Sequence, residues 1–353
     1  MEACMFTGRM MYLLSAALLF SACSCSFPRE PEEWTVMSWN VQNLFDAVDD
    51  GTEYPEFDPG REDWNENLYR KRLERTAGVI KTSGRDSPDL VILQEIENIR
   101  VLDDLASGPL RKEGYSWRLA VPGYSIIRCG ILSRYPLKDI DVVDCGFYGI
   151  RSLRPALFFT VETPAGPVRV SAGHWKSPRD GRAATEGARC REASANRDML
   201  TPVLLNNPEA EILVIGDLNT SGDGRIRPAA LAPWYPELNM EKDEAVLYHT
   251  DSPEGAGIRG GVAVFFDPEP DPAAGSPGTY RYHGEWDRPD RALMSRGLID
   301  PPGLVFESCR TAPETAGDTR GYPSPWVSAR EEGCSDHLPL VLVFRIADEN
   351  RMK

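Results

Sequence analysis

Three features are scarce in this sequence: long apolar runs, closely spaced cysteine pairs and positive charge. Beyond the first residues no stretch could span a bilayer as a helix, which takes about 20 apolar residues. No Cys-x-x-Cys pair occurs, which argues against a structural zinc site. The net charge of −15 excludes the basic surface typical of tight, sequence-independent duplex binding. An enzyme that meets phosphates through a bound divalent cation stays compatible with this charge.

The first residues resemble a bacterial export signal. The run "MYLLSAALLFSA" at 11–22 follows Arg9 and is too short for a transmembrane helix, as is typical of a signal peptide. It ends in "FSAC", which resembles a lipobox with Cys23 as the lipidated residue. We therefore predict a signal peptide at 1–22, a tether at 23–33, and an exported lipoprotein of the bacterial envelope, held to the membrane by its N-terminal lipid alone. A plain secretory signal with an incidental cysteine is the alternative.

Six cysteines follow the leader, and an oxidising compartment would permit disulfides among them. Their pairing cannot be deduced from sequence, and isolated buried thiols are an equal alternative. They are Cys25, Cys129, Cys145, Cys190, Cys309 and Cys334.

The rest of the chain, 34–348, is predicted to be one domain of mixed α/β type. Apolar runs of strand type alternate with helical periodicity, and one hairpin is predicted to turn at Pro164–Gly166. Two Gly- and Pro-rich segments, 251–279 and 300–333, are predicted to be surface excursions. Strands are predicted at 34–45, 88–98, 129–137, 155–175, 210–219, 291–295 and 338–346, and helices at 65–84 and 182–205.

Core strands repeatedly end in a carboxylate, an amide or an imidazole. A polar residue that closes a strand is usually a turn former, but five such ends in one chain predict a site where strand ends meet. The residues are Asn40, Glu95, His174, Asp217 with Asn219, and Asp336 with His337. If Asp336 and His337 are adjacent in a strand, they point to opposite sides of it.

Six motifs in this order resemble the endonuclease/exonuclease/phosphatase superfamily, which includes deoxyribonuclease-I-like nucleases. The resemblance runs from about residue 34 to 346 and implies a four-layer α/β sandwich, with two central mixed, largely antiparallel β-sheets flanked by helices. Gly173 departs from the pattern, because many members have Asn there. The motifs are "SWNVQNLF", "DLVILQEIEN", "GHWKS", "VIGDLN", "DRALMS" and "SDHLPL".

The resemblance implies a metal site made of oxygen ligands. Glu95 matches the direct ligand of the divalent cation, Asn40 lies beside it, and Asp336 matches a second acidic residue on the metal side. Oxygen-only ligands suit Mg²⁺ or Mn²⁺.

The resemblance also implies the catalytic groups. Asp217 matches the acid that activates the attacking water, Asn219 orients that water, and His174 contacts the phosphate oxygens. His337 matches the imidazole that faces the scissile phosphate, and Asp290 matches the carboxylate that holds this imidazole. We predict a hydrogen bond between Asp290 and His337, with the strand of Asp290 lying beside the strand that follows His337.

These roles predict a metal-dependent phosphoric ester hydrolase, most simply a nuclease-type phosphodiesterase that acts on a phosphodiester such as nucleic acid. We also predict that the protein is a monomer. A phospholipid or phosphoinositide phosphodiesterase of sphingomyelinase type is an alternative, although the sequence shows no aromatic or basic membrane-binding hairpin. A lipoprotein that keeps the fold for binding after losing catalysis is a third possibility.

Overall fold

The computed structural model of the chain describes residues 32–61, 63–122, 125–220, 229–234, 245–300 and 302–347. The predicted signal peptide, Cys23 and most of the predicted tether lie outside these residues. The first strand already begins at Glu33. No helix within the described ranges is long and apolar enough to cross a membrane.

The described residues form nineteen strands and four α-helices, each numbered in chain order. The strands are β1 (Glu33–Leu44), β2 (Leu90–Ile96), β3 (Trp117–Ala120), β4 (Arg128–Ser133), β5 (Leu137–Val143), β6 (Phe147–Tyr148), β7 (Arg151–Ser152), β8 (Ala156–Thr163), β9 (Gly166–His174), β10 (Ile212–Asp217), β11 (Ala229–Pro233), β12 (Ala245–Thr250), β13 (Gly257–Arg259), β14 (Val262–Phe266), β15 (Tyr280–Tyr282), β16 (Glu285–Asp287), β17 (Asp290–Met294), β18 (Leu304–Thr311) and β19 (Leu340–Ile346). The α-helices are α1 (Glu66–Thr82), α2 (Ile99–Ser107), α3 (Arg182–Asn206) and α4 (Pro313–Ala316).

Two large mixed sheets form the centre of the structure. The first has six strands in the order β18-β19-β1-β2-β4-β3. The second has nine strands, in the order β11-β12-β14-β17-β10-β9-β8-β5 with β13 paired to β14. Apolar side chains of α1 and α2 pack on the first sheet, and those of α3 pack on the second. The predicted four-layer α/β sandwich is confirmed.

The core between the sheets is built from alternate residues of the central strands, because successive side chains in a strand point to opposite faces. Trp34 and Val36 of β1 and Leu213 and Ile215 of β10 belong to this inner core, and all four are fully buried. The alternate residues of β1 contact the helices instead, as Met37 does. Each central strand therefore carries one apolar row that faces the opposite sheet.

The same inward rows end in the predicted polar residues. Continuing by twos along β1 from Val36 leads to Ser38 and then Asn40, and along β10 from Ile215 it leads to Asp217. The row of β9 through Ala172 ends in His174 in the same way. Sheet geometry alone thus aims these three side chains at the space between the sheets.

Two segments predicted as surface excursions contain core strands, so that prediction is wrong for them. The first, 251–279, contains β14, whose residues are mostly buried in the second sheet. The second, 300–333, contains β18, the edge strand of the first sheet. Their Gly and Pro residues lie mainly in the connections around a short strand, which is why composition averaged over the whole segment hid it.

Other expectations can be compared directly with the structure. The hairpin of β8 and β9 turns between Thr163 and Gly166, as predicted. Pro202 lies inside α3 without ending it. His249 lies in β12. No disulfide joins any two of the cysteines that the structure describes, which are Cys129, Cys145, Cys190, Cys309 and Cys334.

Candidate active site

A hydrogen-bonded pair of side chains joins the two sheets. His337 Nδ1 lies 2.7 Å from Oδ2 of Asp290, and the Thr279 hydroxyl donates to the same carboxylate oxygen at 2.6 Å. The predicted contact is therefore present. The expected arrangement is wrong, because Asp290 begins β17 of the second sheet whereas His337 precedes β19 of the first. The pair spans the gap between the sheets at one edge of the sandwich.

Asp336 and His337 lie in the connection before β19, which begins only at Leu340, so they are not adjacent residues of that strand. The turn at Ser335 fixes them instead. Its hydroxyl donates to the carbonyl oxygen of Asn40 at 2.6 Å and accepts from the backbone N–H of His337 at 3.0 Å. The side chain of His337 is thereby directed toward the second sheet, while Asp336 stays half-buried.

Asp217 is the buried centre of the site. It is paired in register with His174 on one side and with Asp290 on the other. Its Oδ2 accepts a hydrogen bond from Asn40 Nδ2 at 3.1 Å, and its Oδ1 accepts from the backbone N–H of Asn219 at 3.2 Å. Burial and then the negative charge of Asp290 raise the pKa of Asp217 to about 7. The carboxyl can thus gain a proton at close to neutral pH.

The charge on His337 follows from the carboxylates around it. Burial acts against the charged imidazole, but the charge and hydrogen bond of Asp290 outweigh this, and Asp336 and Asp217 add to the effect. Together they raise the pKa of His337 to about 10. His337 is therefore an imidazolium at neutral pH, and its ring packs against Tyr280 with 4.8 Å between ring centroids.

His174 lies between the two carboxylates of the opposed sheets. Its Nε2 is 3.6 Å from Oδ2 of Asp217 and 3.8 Å from Oε1 of Glu95, which is too long for direct hydrogen bonds. Burial, followed by the positive charges of Arg154, His337 and Arg179, holds its pKa well below the ordinary value. Within the described residues its Nδ1 is buried without a partner, so no second carboxylate holds this ring as Asp290 holds His337.

Glu95 reaches the site through an irregular backbone. Its φ is 67°, and the pairing of β1 with β2 shifts register between Asn40 and Leu44. Because of this bulge, Glu95 leaves the regular alternation of side chains along β2. Oε2 of Glu95 accepts a hydrogen bond from the backbone N–H of Asn43 at 3.0 Å. The glutamate side chain keeps 16% exposure and stands at the opening of the site.

Gly173, where the family pattern often has Asn, leaves little room for a side chain, because a Cβ there would lie 3.0 Å from Trp175 Nε1 and 3.1 Å from Leu218 Cδ2. Gly173 pairs with Gly216 of the neighbouring strand, and Gly216 has a φ of 145°. A Cβ on Gly216 would lie 2.0 Å from the carbonyl oxygen of Gly173. The close approach of these two strands sets the spacing of His174 and Asp217, the next residue in each strand.

Asn219 follows Asp217 in a left-handed conformation, with φ at 52°. Its Nδ2 donates to the carbonyl oxygen of Trp175 at 3.0 Å. The backbone N–H of Trp175 donates in turn to the carbonyl oxygen of Asp217 at 2.9 Å. The turns that follow β9 and β10 are therefore tied together, and Asn219 is held beside Asp217.

Arg72 is a residue of this region that sequence reasoning missed. It lies fully buried on α1 and donates to the carbonyl oxygens of Val41, Gln42 and Cys334. The turn after Asn40 is thus tied to the segment before Ser335. A charged residue within the apolar row of an amphipathic helix was the available signal.

The donor set fits a hard divalent cation. Oε1 of Glu95 accepts no hydrogen bond from the described residues and is partly open to solvent, and the amide of Asn40 lies one strand away. Oxygen donors of this kind are those that Mg²⁺ and Mn²⁺ prefer. No contact joins Asp336 to Glu95 or Asn40 in the part of the chain described, so its role as a ligand stays a prediction.

A second group of ligand atoms, from Asp217, Asp290 and His337, lies within 4.8 Å of one another. Because His337 already shares a 2.7 Å hydrogen bond with Asp290, we interpret this group as an acid–base cluster, and Glu95 as the principal metal ligand.

Replacing Glu95 with Gln is expected to weaken the binding of Mg²⁺ or Mn²⁺ by at least about tenfold, since even lost outer partners of metal sites cost about 10- to 100-fold. Titration calorimetry of the two proteins measures this. Glu74→Gln, on the exposed face of α1, removes the same charge and should leave the affinity unchanged. Equal affinity in wild type and Glu95→Gln would place the metal elsewhere.

Comparison with known proteins identifies the family of this chain and the fold it shares with solved structures. The model of the Endonuclease/Exonuclease/phosphatase family matches residues 37–337, and no curated protein matches the chain. Truncated TDP2 from Caenorhabditis elegans is 17% identical, with 89% of this chain and 97% of that one covered and a TM-score of 0.51. An endonuclease/exonuclease/phosphatase family protein from Bacteroides thetaiotaomicron is 13% identical, with coverages of 90% and 99% and a TM-score of 0.52.

A functionally unknown conserved protein from Enterococcus faecalis is 14% identical, with 88% of this chain and 99% of that one covered and a TM-score of 0.50. At these identities the solved structures share the fold with this chain. The family model goes further, because it spans every motif from β1 to His337. The chain therefore belongs to the endonuclease/exonuclease/phosphatase family.

Proposed function

We propose that this protein is a divalent-metal-dependent phosphodiesterase of nuclease type. The observation that carries the proposal is the meeting of Asp217 with Asn40 and His174 at the same sheet edge as the Asp290–His337 pair. A general base, a fixed positive charge and an open carboxylate are the groups that phosphoester hydrolysis needs. Family membership agrees with this reaction class.

The charge of each side chain determines its proposed role in hydrolysis. Asp217 is the base that takes a proton from water, and the Asn219 backbone N–H and the Asn40 amide hold its two oxygens in place. His337, kept protonated by Asp290, stabilises negative charge that develops on the phosphate. Glu95, with Asn40 beside it, would hold the cation, which would supply further positive charge toward the phosphate.

Arginines supply local positive charge in an otherwise acidic protein. Arg154 donates to the carbonyl oxygen of His174 at 3.4 Å. Arg179, exposed after β9, acts with Arg154 on the charge state of His174. Such a cluster beside the base favours an anionic substrate, despite the net charge of −15.

A phospholipid phosphodiesterase is the second candidate, and one feature favours it. No membrane-binding hairpin was expected from the sequence, yet β6 and β7 form a small hairpin whose Phe147 and Ile150 are 59% and 97% exposed. Lys176 lies over the ring of its Tyr148, 5.0 Å from the centroid. An exposed apolar tip beside a cation suits contact with a lipid surface.

A substrate panel tests the proposal. The purified protein is incubated with single-stranded DNA, duplex DNA, RNA, sphingomyelin vesicles and inositol phosphates, each with Mg²⁺ or Mn²⁺ and with EDTA. We expect metal-dependent cleavage of a nucleic acid that EDTA abolishes. Cleavage confined to sphingomyelin would favour the second candidate. Failure to cleave any of these, or bis(p-nitrophenyl) phosphate, would contradict both.

A further inference from the structure

A second group of acidic side chains lies outside the site described above. Carboxylate oxygens of Asp50, Glu53 and Glu97 lie within 4.8 Å of one another. Asp50 and Glu53 belong to the exposed turn after β1, and Glu97 follows the end of β2. We call these three residues the rim cluster. The rim cluster thus brings together the turn after β1 and the end of β2, two segments that are far apart in sequence.

One oxygen of each carboxylate in the rim cluster is used within the protein. Asp50 Oδ1 accepts from Thr52, and Glu53 Oε1 accepts from the backbone N–H of Asp50 at 2.6 Å. Glu97 Oε2 accepts from the backbone N–H of Asp46 at 2.7 Å. The side chains of Asp50 and Glu53 also lie within hydrogen-bond distance of each other, whereas the other oxygen of Glu97 accepts no hydrogen bond from the described residues.

Glu97 points to a missing partner more strongly than the other two. Its side chain is only 2% exposed, and its Oε1 is buried without a hydrogen bond in the described part of the chain. A buried carboxylate oxygen without a donor or a cation is costly, so native structures rarely keep one. This oxygen belongs to a group that already gathers three carboxylates.

No lysine or arginine among the described residues forms an ion pair with the rim cluster. The neighbouring Arg100 and Asn98 instead contact Asp46, at 3.5 and 2.9 Å. Arg128 acts on Asp50 only from beyond ion-pair distance. Three carboxylates this close repel one another, and either a bound cation or a proton held by one of them relieves the repulsion.

We propose that Asp50, Glu53 and Glu97 bind a calcium ion, at a site separate from the catalytic one. All the donors are oxygens, and Ca²⁺ accepts carboxylates and waters at about 2.3–2.6 Å in flexible geometry. Two ligands on opposite sides of such an ion are about 5 Å apart, close to the span of the cluster. The ion holds the turn after β1 against the end of β2, two residues from Glu95.

The test is calcium titration by calorimetry and by thermal unfolding, with Mg²⁺ in excess to occupy the catalytic site. Wild type is expected to bind Ca²⁺ and to unfold at a higher temperature with it. Glu97→Gln and Asp50→Asn should each lower the calcium affinity at least tenfold and remove the thermal shift. Asp50 is exposed, so its variant should fold even if the Glu97 variant does not.

Two controls separate this site from the catalytic one. Glu56→Gln removes an exposed charge from the same turn and should bind Ca²⁺ as wild type does. Glu95→Gln should lose Mg²⁺ affinity but keep the calcium-dependent thermal shift. The proposal is overturned if wild type shows no calcium-dependent shift, if Asp50→Asn keeps it, or if Glu95→Gln alone abolishes it. None of these measurements depends on the substrate or on hydrolysis.

Discussion

Replacing Asp217 with Asn is expected to lower kcat by about 10²- to 10⁴-fold, the range found when a general acid or base is removed. Asn has nearly the same shape and can still accept from the Asn40 amide, but it cannot take a proton from water. Steady-state hydrolysis of bis(p-nitrophenyl) phosphate or of the cleaved nucleic acid measures the loss. A variant with more than a tenth of wild-type kcat would contradict the assignment of the base.

The stability of Asp217→Asn distinguishes a catalytic loss from a structural one. The folded pKa of Asp217 lies above its ordinary 3.8, at about 7, so the folded state binds this proton more tightly than the unfolded state does. The resulting cost grows as the pH rises from 3.8 through about 7 and is fully present above that. Asp217→Asn removes this cost but also loses one of the two accepted hydrogen bonds, because an amide has a single acceptor oxygen, so its unfolding temperature at pH 8 should differ little from that of wild type.

Asp89 is a matched control for Asp217, because it precedes β2 at the end of that strand away from Glu95. Asp89 is nearly as buried as Asp217 and accepts from the backbone N–H and hydroxyl of Thr35. Asp89→Asn should lower the unfolding temperature and leave kcat within about threefold of wild type, since it is far from the reacting groups. The two variants are thus expected to show opposite patterns of activity and stability.

Asp290→Asn is expected to lower activity by about 10- to 1,000-fold, between the losses typical of partner residues and of acid–base groups. The double variant with His337→Ala should be little worse than His337→Ala alone, because residues that act as one unit are not additive. A double-mutant cycle on kcat/KM measures this. Multiplicative losses would mean that Asp290 acts independently of His337.

The pH profile gives a second measure of the same pair. In wild type the Asp290 carboxylate keeps His337 charged until the pH approaches about 10, so activity should persist well above neutrality. In Asp290→Asn only the weaker effects of Asp336 and Asp217 oppose burial, and the pKa of His337 should fall toward the ordinary 6.5. Activity of the variant should therefore decline as the pH rises through about 6.5. An unchanged alkaline limb would contradict a charged His337.

Much of the fold and the site could be predicted because local pattern and sheet geometry agree. The apolar alternation that ends in Asn40, in His174 and in Asp217 is visible in the sequence, and it fixes which face of each strand these residues occupy. The order of the motifs then identified the family whose fold places these ends together.

The parts that sequence did not predict depend on irregular backbone and on packing between distant segments. Nothing local shows that Glu95 adopts a positive φ or that β1 has a bulge after Asn40. The contact of Asp290 with His337 could be expected, but its crossing between sheets follows from the whole topology. Short strands such as β14 were hidden because flanking Gly and Pro dominated the composition.

The first sheet can be completed only when almost the whole chain is present. β1 pairs with β19, so an early strand waits for one of the last before that sheet is complete. His337 enters the site only with that closing strand. A chain that lacks β19 therefore holds Asp217 and Glu95 without their charged partner, so the site is complete only when the last strand has joined the first sheet.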